Sequence, residues 1–516
     1  MNTALKSVNK KIIYNYYCTW TSQKTWNCSV NPDAITAQDM RDRLGSEFLF
    51  GEKGVLNFHP ECIRQDMLVV LDDGWDVAKG VTHEKDSDNA SFGSLIPDAG
   101  KFPEIAGLAP YERLKALSQK VKELGYAGLG LWVPSNYFGE DVSEDYGERL
   151  KKAGAFWEER GKMCSYADIK YLKVDWGYHG RDIRYRSLMT EAVKKHSPST
   201  LIEHVVGIFG MPYDPEPDKQ QSPEFLSFLD TAKRTFLVSD VYRTYDVVEK
   251  LSTATTLMRI SKLFDVGAAA GDGLAGIINV EDDITVAAAL GMSSGIMRDP
   301  CGPYYGDVTK ALVWQRFSPP WRLEAENCFH SDELLCDSYF FDSPEGVWPY
   351  VGQKTIKQYA PSCISRGVPL PDVDVSPHVN GKNSENGESS EKPFVLASKN
   401  PDTLTYTVAS LPRTAENKYK YRVPAKVTVK DAELTAPIGI FGTFEKLNIQ
   451  FTENLNNIRV LARDMLSEEC FSDITNEVSY SRDTLTIDGK LLEKTASKRA
   501  GGDLSENAVI IKLERI

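Results

Sequence analysis

The chain lacks most of the signatures that would place it quickly. Its 9 cysteines, at 18, 28, 62, 164, 301, 328, 336, 363 and 470, include no C-x-x-C pair. That excludes a zinc ribbon and a dense disulfide framework, and leaves ordinary buried thiols with room for one bridge. The 7 histidines show no H-E-x-x-H or comparable ligand spacing, and no D-x-[DN]-x-[DN]-G calcium loop occurs, so no metal is expected. No cofactor is expected either: G-x-x-x-x-G-K-[ST] is missing, and the lone G-x-G-x-x-G, at 271–276, precedes a strand instead of following one. The single G-x-S-x-G, GMSSG at 291–295, follows a helix-like stretch and opens a strand, the reverse of a nucleophile elbow.

Positive charge is also short. A formal net charge of −13 disfavours nucleic-acid and anionic-membrane partners, both of which reward basic patches. The Ala- and Gly-rich stretch 265–297 is broken by Asp272, Glu281, Asp282 and Asp283, so it is not a membrane span. MNTALKSVNKKIIYNYY at the amino terminus has no apolar core or small-residue cleavage site. The sequence as written is expected to be cytoplasmic, or exported with its signal already removed.

What is present is length, 516 residues with 41% hydrophobic, and a change of texture along it. Apolar runs at Ile12–Tyr17, Met67–Leu71, Gly128–Trp132, Tyr171–Val174, Thr200–Ile202, Phe236–Val238, Ile277–Val280 and Ser293–Met297 read as strands. Amphipathic stretches such as Tyr111–Leu124, Ile183–Lys195 and Asp246–Phe264 alternate with them. That alternation predicts a parallel sheet covered on both faces, and eight such strands close a (β/α)8 barrel over residues 1–320. Residues 321–393 read as a barrel-packing segment ending in a polar linker, with 371–393 rich in Pro, Gly, Ser and Asn. Short β-rich runs follow: Thr403–Ala409, Ala425–Val429, Leu447–Phe451, Ile458–Leu461, Thr484–Ile487 and Ala508–Leu513. They predict an antiparallel β-sandwich over 394–516.

In such a barrel the chemistry gathers at the carboxyl ends of the strands. Strand two runs into Asp72-Asp73-Gly74-Trp75-Asp76, strand three ends in Trp132, and strand four ends Lys173-Val174-Asp175-Trp176. Strand five ends Glu203-His204, strand six ends Ser239-Asp240, and strand seven ends Glu281-Asp282-Asp283. Taken singly, an Asp after a strand is a common helix N-cap, buried tryptophans are ordinary core, and Asp282-Asp283 read as the start of the next helix. Taken together they resemble a sugar site. Paired acids break the bond, further acids accept from hydroxyls, and aromatic rings cover the apolar sugar faces.

VVLDDGWD (69–76), GSLIPDAGKFP (93–103), GLGLWVP (128–134) and YLKVDWG (171–177) closely resemble successive motifs of the α-galactosidases (melibiases) of glycoside hydrolase clan D, families 27 and 36. The resemblance covers roughly residues 12–300. It implies Asp175 as nucleophile and Asp240 as general acid/base, with Asp72 and Asp73 on the galactose 4- and 6-hydroxyls and Lys173 on the sugar. It further implies Glu203 near the 2-substituent and an aromatic after strand one, here Trp20. The family arginine usually lies four residues before the acid/base. That position is Phe236, so Arg234 and Arg243 are the candidates. Trp176-Gly177 departs from the small pair usual after the nucleophile, and no extra amino-terminal sandwich precedes the barrel, which favours family 27 or a divergent relative.

The implied reaction is release of a terminal α-linked galactose with retained configuration, by a covalent glycosyl-enzyme and its hydrolysis. An α-N-acetylgalactosaminidase, a β-L-arabinopyranosidase, a galactosyl transferase and a non-catalytic carbohydrate-binding homologue fit the same scaffold. The expected partner is carbohydrate.

Overall fold

The structure, a computed structural model, describes residues 12–31, 34–82, 90–205, 223–244, 253–270, 276–347, 350–375, 391–415, 418–467, 470–496 and 502–516. Parts of three sequence features therefore lie outside the described residues: the start of the 246–264 stretch, most of the glycine motif at 271–276, and the middle of the 371–393 linker.

Eight parallel strands form a closed barrel: β1 (Tyr16–Cys18), β2 (Leu68–Leu71), β3 (Leu129–Val133), β4 (Tyr171–Val174), β5 (Leu201–Val205), β6 (Val241–Arg243), β7 (Ile277–Glu281) and β8 (Ser293–Ile296). Closure comes from β1 pairing with β8, Tyr16 opposite Gly295 and Tyr17 opposite Ile296. Along each strand alternate residues face the helices and the lumen, as a two-residue period requires. Val69, Leu71, Leu131, Leu172, Val174, Ile202 and Tyr242 join the outer core, while Tyr16, Cys18, Leu68, Val70, Tyr171, Leu201 and Val241 form a separate cluster inside the barrel. Burying each such Val or Leu stabilises the fold by about 1.5–3 kcal/mol.

Surrounding helices include Pro110–Glu123, Tyr146–Ala167, Ile183–His196, Pro223–Phe236, Thr253–Ala270 and Tyr305–Gln315. Two of them start at aspartates that cap free backbone N–H groups: Asp145 accepts from Gly147 and Glu148, and Asp182 from Arg184 and Tyr185. Among the described residues, no helix is long and apolar enough to cross a membrane.

The carboxyl-terminal region is a sandwich of an eight-stranded and a five-stranded sheet, mostly antiparallel. Val395, Val408, Ile440 and Val509 of the larger sheet meet Val427, Leu447, Ile449 and Leu485 of the smaller. The opposite face of the larger sheet, with Leu396, Ala409, Phe441 and Ile510, packs into the barrel's outer core. Trp314 Nε1 ties the two regions by donating to Thr407 Oγ1 at 3.0 Å. The larger sheet also takes strands Cys328–His330 and Cys363–Arg366, from inside the stretch read as packing segment and linker. Between them a long hairpin, Leu334–Val347 with Tyr350–Pro361, was not expected from sequence. No two of the nine cysteines form a bridge.

One strand differs from the sequence reading in a way that matters. Phe236 ends the helix Pro223–Phe236, and the sixth strand is Val241–Arg243. The apolar run at 236–238 resembles a strand but closes the helix: Leu237 is 56% exposed, whereas Tyr242 is fully buried.

Candidate active site at the carboxyl end of the barrel

The lumen changes character along its axis. Towards the amino ends of the strands it is lined by Leu68, Leu201 and Val241. Towards the carboxyl ends it becomes charged, with Asp72, Lys173, Asp175, Glu203, Arg243 and Glu281 converging through their contacts.

Asp175 follows β4, its N–H donating to Val133 O at 3.0 Å. Its two carboxylate oxygens have separate donors: Arg243 Nη2 at 3.1 Å from Oδ1 and Trp132 Nε1 at 3.1 Å from Oδ2. It keeps 16% side-chain exposure, against 0% for Arg243. A carboxylate fixed from two sides, still reachable, and backed by a buried guanidinium is suited to nucleophilic attack. Trp132 packs near Trp176, with ring centroids 5.1 Å apart, and Phe92 is the third ring of the cluster. The Trp176-Gly177 pair has a local reason. Gly177 has φ +145°, and a Cβ there would lie 2.7 Å from Ser135 N, whose N–H donates to Trp176 O.

Lys173 lies two residues before Asp175 on the same strand face. Its ammonium is 2.8 Å from Asp72 Oδ2, 3.2 Å from Glu281 Oε1 and 3.4 Å from Cys18 Sγ. Burial alone would lower its pKa, but Asp72, Cys18 and Glu281 outweigh that and hold it well above the usual lysine value. Asp72 itself is anchored by its own N–H, which donates to Thr19 Oγ1, and by the Cys18 thiol.

Asp73 follows Asp72 in the turn after β2 and is buried. Arg41 Nε donates to its Oδ2 at 2.8 Å, which ties the turn to the helix Ala37–Arg43. Gly74, at φ +106°, leaves room for Arg41, whose Cα would lie 2.7 Å from a Cβ, and Lys101 Nζ donates to Gly74 O. The GKFP lysine thus clamps the DDGW turn. Asp76, also buried, is pushed up to about 6 by burial against its Ser94 hydrogen bonds.

Asp240 is not part of this site. It precedes β6, and its N–H donates to Ile202 O at 3.0 Å, so it stands level with the start of β5. Asp175 follows Val174, the partner of His204, which separates the two by three residues, about 10 Å along the strands. Asp240 shares the outward face of Tyr242 and pairs with Lys194 Nζ on the helix Ile183–His196 at 2.6 Å. The expectation that it is the acid/base is therefore overturned by the position of β6. Arg234 is likewise outside the barrel, 61% exposed and paired with Asp230 one helical turn away. Arg243, at the carboxyl end of β6, is the arginine that reaches Asp175.

Glu203 is in the lumen but completely buried, between Tyr16, Tyr171 and Arg243. It forms part of the floor beneath Asp175. Trp20 opens the short helix after β1 and packs, half-buried, against the lumen cluster.

Sequence reasoning noticed Glu281 at a strand end without giving it a role; the structure seats it between Lys173 and Arg243. Asp282 pairs with Arg298, and Asp283 sits at the N-cap of Ile284–Ala289. It missed Arg186, fully buried, whose guanidinium donates to Asp175 O and Gly180 O and meets His204 Nδ1 at 2.8 Å. It also missed Cys18. Among the described residues, no group of three His, Cys, Asp or Glu side chains is arranged to hold a metal ion.

No protein-family model matches the chain, and no curated protein matches its sequence. Solved structures similar to it include a candidate α-galactosidase from Bacteroides fragilis, 11% identical with a TM-score of 0.35, covering 80% of this chain and 76% of that one. Another is a family 27 β-L-arabinopyranosidase from Geobacillus stearothermophilus in complex with arabinose, 11% identical with a TM-score of 0.35, covering 86% and 88%. A third is a candidate α-N-acetylgalactosaminidase from Bacillus halodurans, 8% identical with a TM-score of 0.40, covering 99% and 100%. These values bear on no residue's role; barrel and sandwich rest on the strand pairing itself.

Proposed function

We propose that the chain is a retaining glycoside hydrolase that releases a terminal α-linked galactose or a close relative, with Asp175 as nucleophile. The observation that carries this reading is the setting of Asp175: at the carboxyl end of β4, exposed at one side, held by Trp132 and Arg243, and two residues from Lys173. Asp72 and Lys173 lie beneath it as a paired acceptor and donor for sugar hydroxyls. The motifs LDDGW, GKFP, GLW and YLKVD, which resemble those of clan D α-galactosidases, supply the sugar in this reading.

Retention needs a second carboxyl group that gives a proton to the leaving oxygen and takes one from water. The described acids of the rim are engaged elsewhere: Asp72 with Lys173, Asp73 with Arg41, Glu281 with Lys173 and Arg243, Asp282 with Arg298. We assign the role to Asp246. It lies outside the described residues, and the assignment rests on its sequence position, three residues after Arg243 in the connection leaving β6. Asp175 attacks the anomeric carbon, the glycosidic oxygen leaves with the proton from Asp246, and water activated by Asp246 then cleaves the glycosyl ester. Galactose, N-acetylgalactosamine and β-L-arabinopyranose remain alternatives for the sugar, and transfer to an acceptor sugar remains an alternative to hydrolysis. Side-by-side assay of their nitrophenyl glycosides tests the reading. Turnover of one of them with retained configuration, lost in Asp175→Ala, supports it; no turnover of any overturns it.

A further inference from the structure

The floor below Asp175 holds more carboxyl groups than its cations and phenols can serve. Asp72, Asp175, Glu203 and Glu281 face only Lys173 and Arg243 among the described lumen residues. Burying that many uncompensated carboxylates is costly, and such groups neutralise instead.

Counting protons locates where. Tyr16 Oη lies 3.0 Å from Glu281 Oε1 and 3.3 and 3.4 Å from the two oxygens of Glu203. Tyr171 Oη lies 2.7 Å from Glu203 Oε2. These are three phenol–carboxyl contacts: Tyr16 with each glutamate, and Tyr171 with Glu203. Burial and the neighbouring carboxylates push both phenols well up, so each keeps its single proton. Two phenolic protons cannot fill three contacts between phenol oxygens and carboxylates, which only accept. A carboxyl group that carries a proton would complete the third.

Glu281 is the poorer holder, because Lys173 lies 3.2 Å from its Oε1 and Arg243 Nη1 3.5 Å. Among the described residues Glu203 has one cation in ion-pair contact, Arg243 Nε at 3.6 Å. Tyr16 then donates to Glu281, the shorter contact, and accepts from Glu203. We propose that Glu203 is held as the neutral carboxylic acid, a positioning residue that leaves the Arg243 guanidinium to Asp175 and Glu281. Burial raises the pKa of Glu203 against the opposing pull of Arg243 and Lys173, in the same direction. An ionised Glu203 would compete with Asp175 for the one guanidinium. The functional half of this inference rests on the glycosidase reading; the protonation does not.

Infrared spectroscopy of the full chain carrying 13C-labelled glutamate tests it without any substrate. The expected result at pH 7 is a protonated-carboxyl C=O band that shifts with the label, is lost in Glu203→Gln and is kept in Glu281→Gln. A second readout is the urea midpoint across pH. A raised acid contributes stability that is complete below its unfolded value, 4.5 for Glu, and is lost as pH climbs through the folded value. Wild type should therefore lose stability relative to Glu203→Gln as pH rises above about 4.5. If Glu203→Gln does not fold, Tyr171→Phe, which removes the 2.7 Å hydrogen bond to Glu203, should shift the band, and an unshifted band would overturn the proposal. No such glutamate band at neutral pH, a band that survives Glu203→Gln, or parallel midpoints across pH would overturn the proposal. Absence of glycosidase activity with the band present would instead reject the function and leave the protonation standing.

Discussion

Arg243 Nη2 stands 3.1 Å from Asp175 Oδ1, and the guanidinium that makes this contact has no exposed surface. The same side chain reaches Glu203 through Nε and Glu281 through Nη1. One cation therefore orients Asp175 and reaches the floor beneath it. Arg243→Lys keeps the charge but cannot span three carboxyl groups. We expect kcat/KM to fall about 10²-fold with the fold retained. Arg243→Met removes the charge and leaves buried carboxylates unpaired, costing about 3–5 kcal/mol. Steady-state kinetics and urea denaturation of both variants check this. Unchanged kinetics in Arg243→Lys would remove Arg243 from the site.

Asp240 gives the sharpest contrast between the sequence reading and the fold. Asp240→Ala loses an ion pair with Lys194 that is 25–31% exposed and one acceptor for Ile202 N–H. The exposed pair is worth little and the hydrogen bond about 1 kcal/mol. Turnover is expected to stay within about threefold of wild type, where loss of an acid/base would cost about 10²–10⁴-fold. Kinetics on an aryl glycoside decide between them.

Asp246→Asn is expected to lower turnover by about 10²–10⁴-fold on substrates with poor leaving groups and far less on nitrophenyl glycosides, which need little protonation. Equal losses on both would remove Asp246 from the proton-transfer role.

Asp76 makes stability depend on pH through the loop that carries Asp72. Burial holds its carboxyl at about 6 against an unfolded value of 3.8. The sign follows from linkage: its contribution is complete below about pH 4 and lost as pH rises through about 6. Urea midpoints between pH 4 and 7 should fall in wild type by more than in Asp76→Asn. Parallel profiles would show that Asp76 does not titrate in this window.

How much of this could be read in the sequence depends on the element. β4 was read to the residue, because Tyr171–Val174 alternates cleanly and ends in an acid. β6 was not. Val241-Tyr242-Arg243 is only three residues long and ends in a charge that makes sense only inside a polar lumen, while Phe236-Leu237-Val238 offered a more apolar run nearby. That shift of a few residues carried Asp240 to the wrong end of the barrel and left Arg234 and Arg243 undistinguished. Asp73 and Glu203 were seen as acids at strand ends, but their partners, Arg41 and the two tyrosines, lie up to 187 residues away in sequence. Local pattern cannot supply such contacts. Arg186 gave no signal at all, since a helical arginine normally reads as solvated surface.

In the proposed reaction Asp175 forms a covalent bond to the sugar. Incubation with a fluorinated, mechanism-based α-galactoside, followed by peptide mass spectrometry, tests it directly. A single glycosyl adduct is expected on the peptide that contains Asp175, absent from Asp175→Ala. An adduct on any other carboxylate, or turnover of an α-galactoside with inverted configuration, would contradict it.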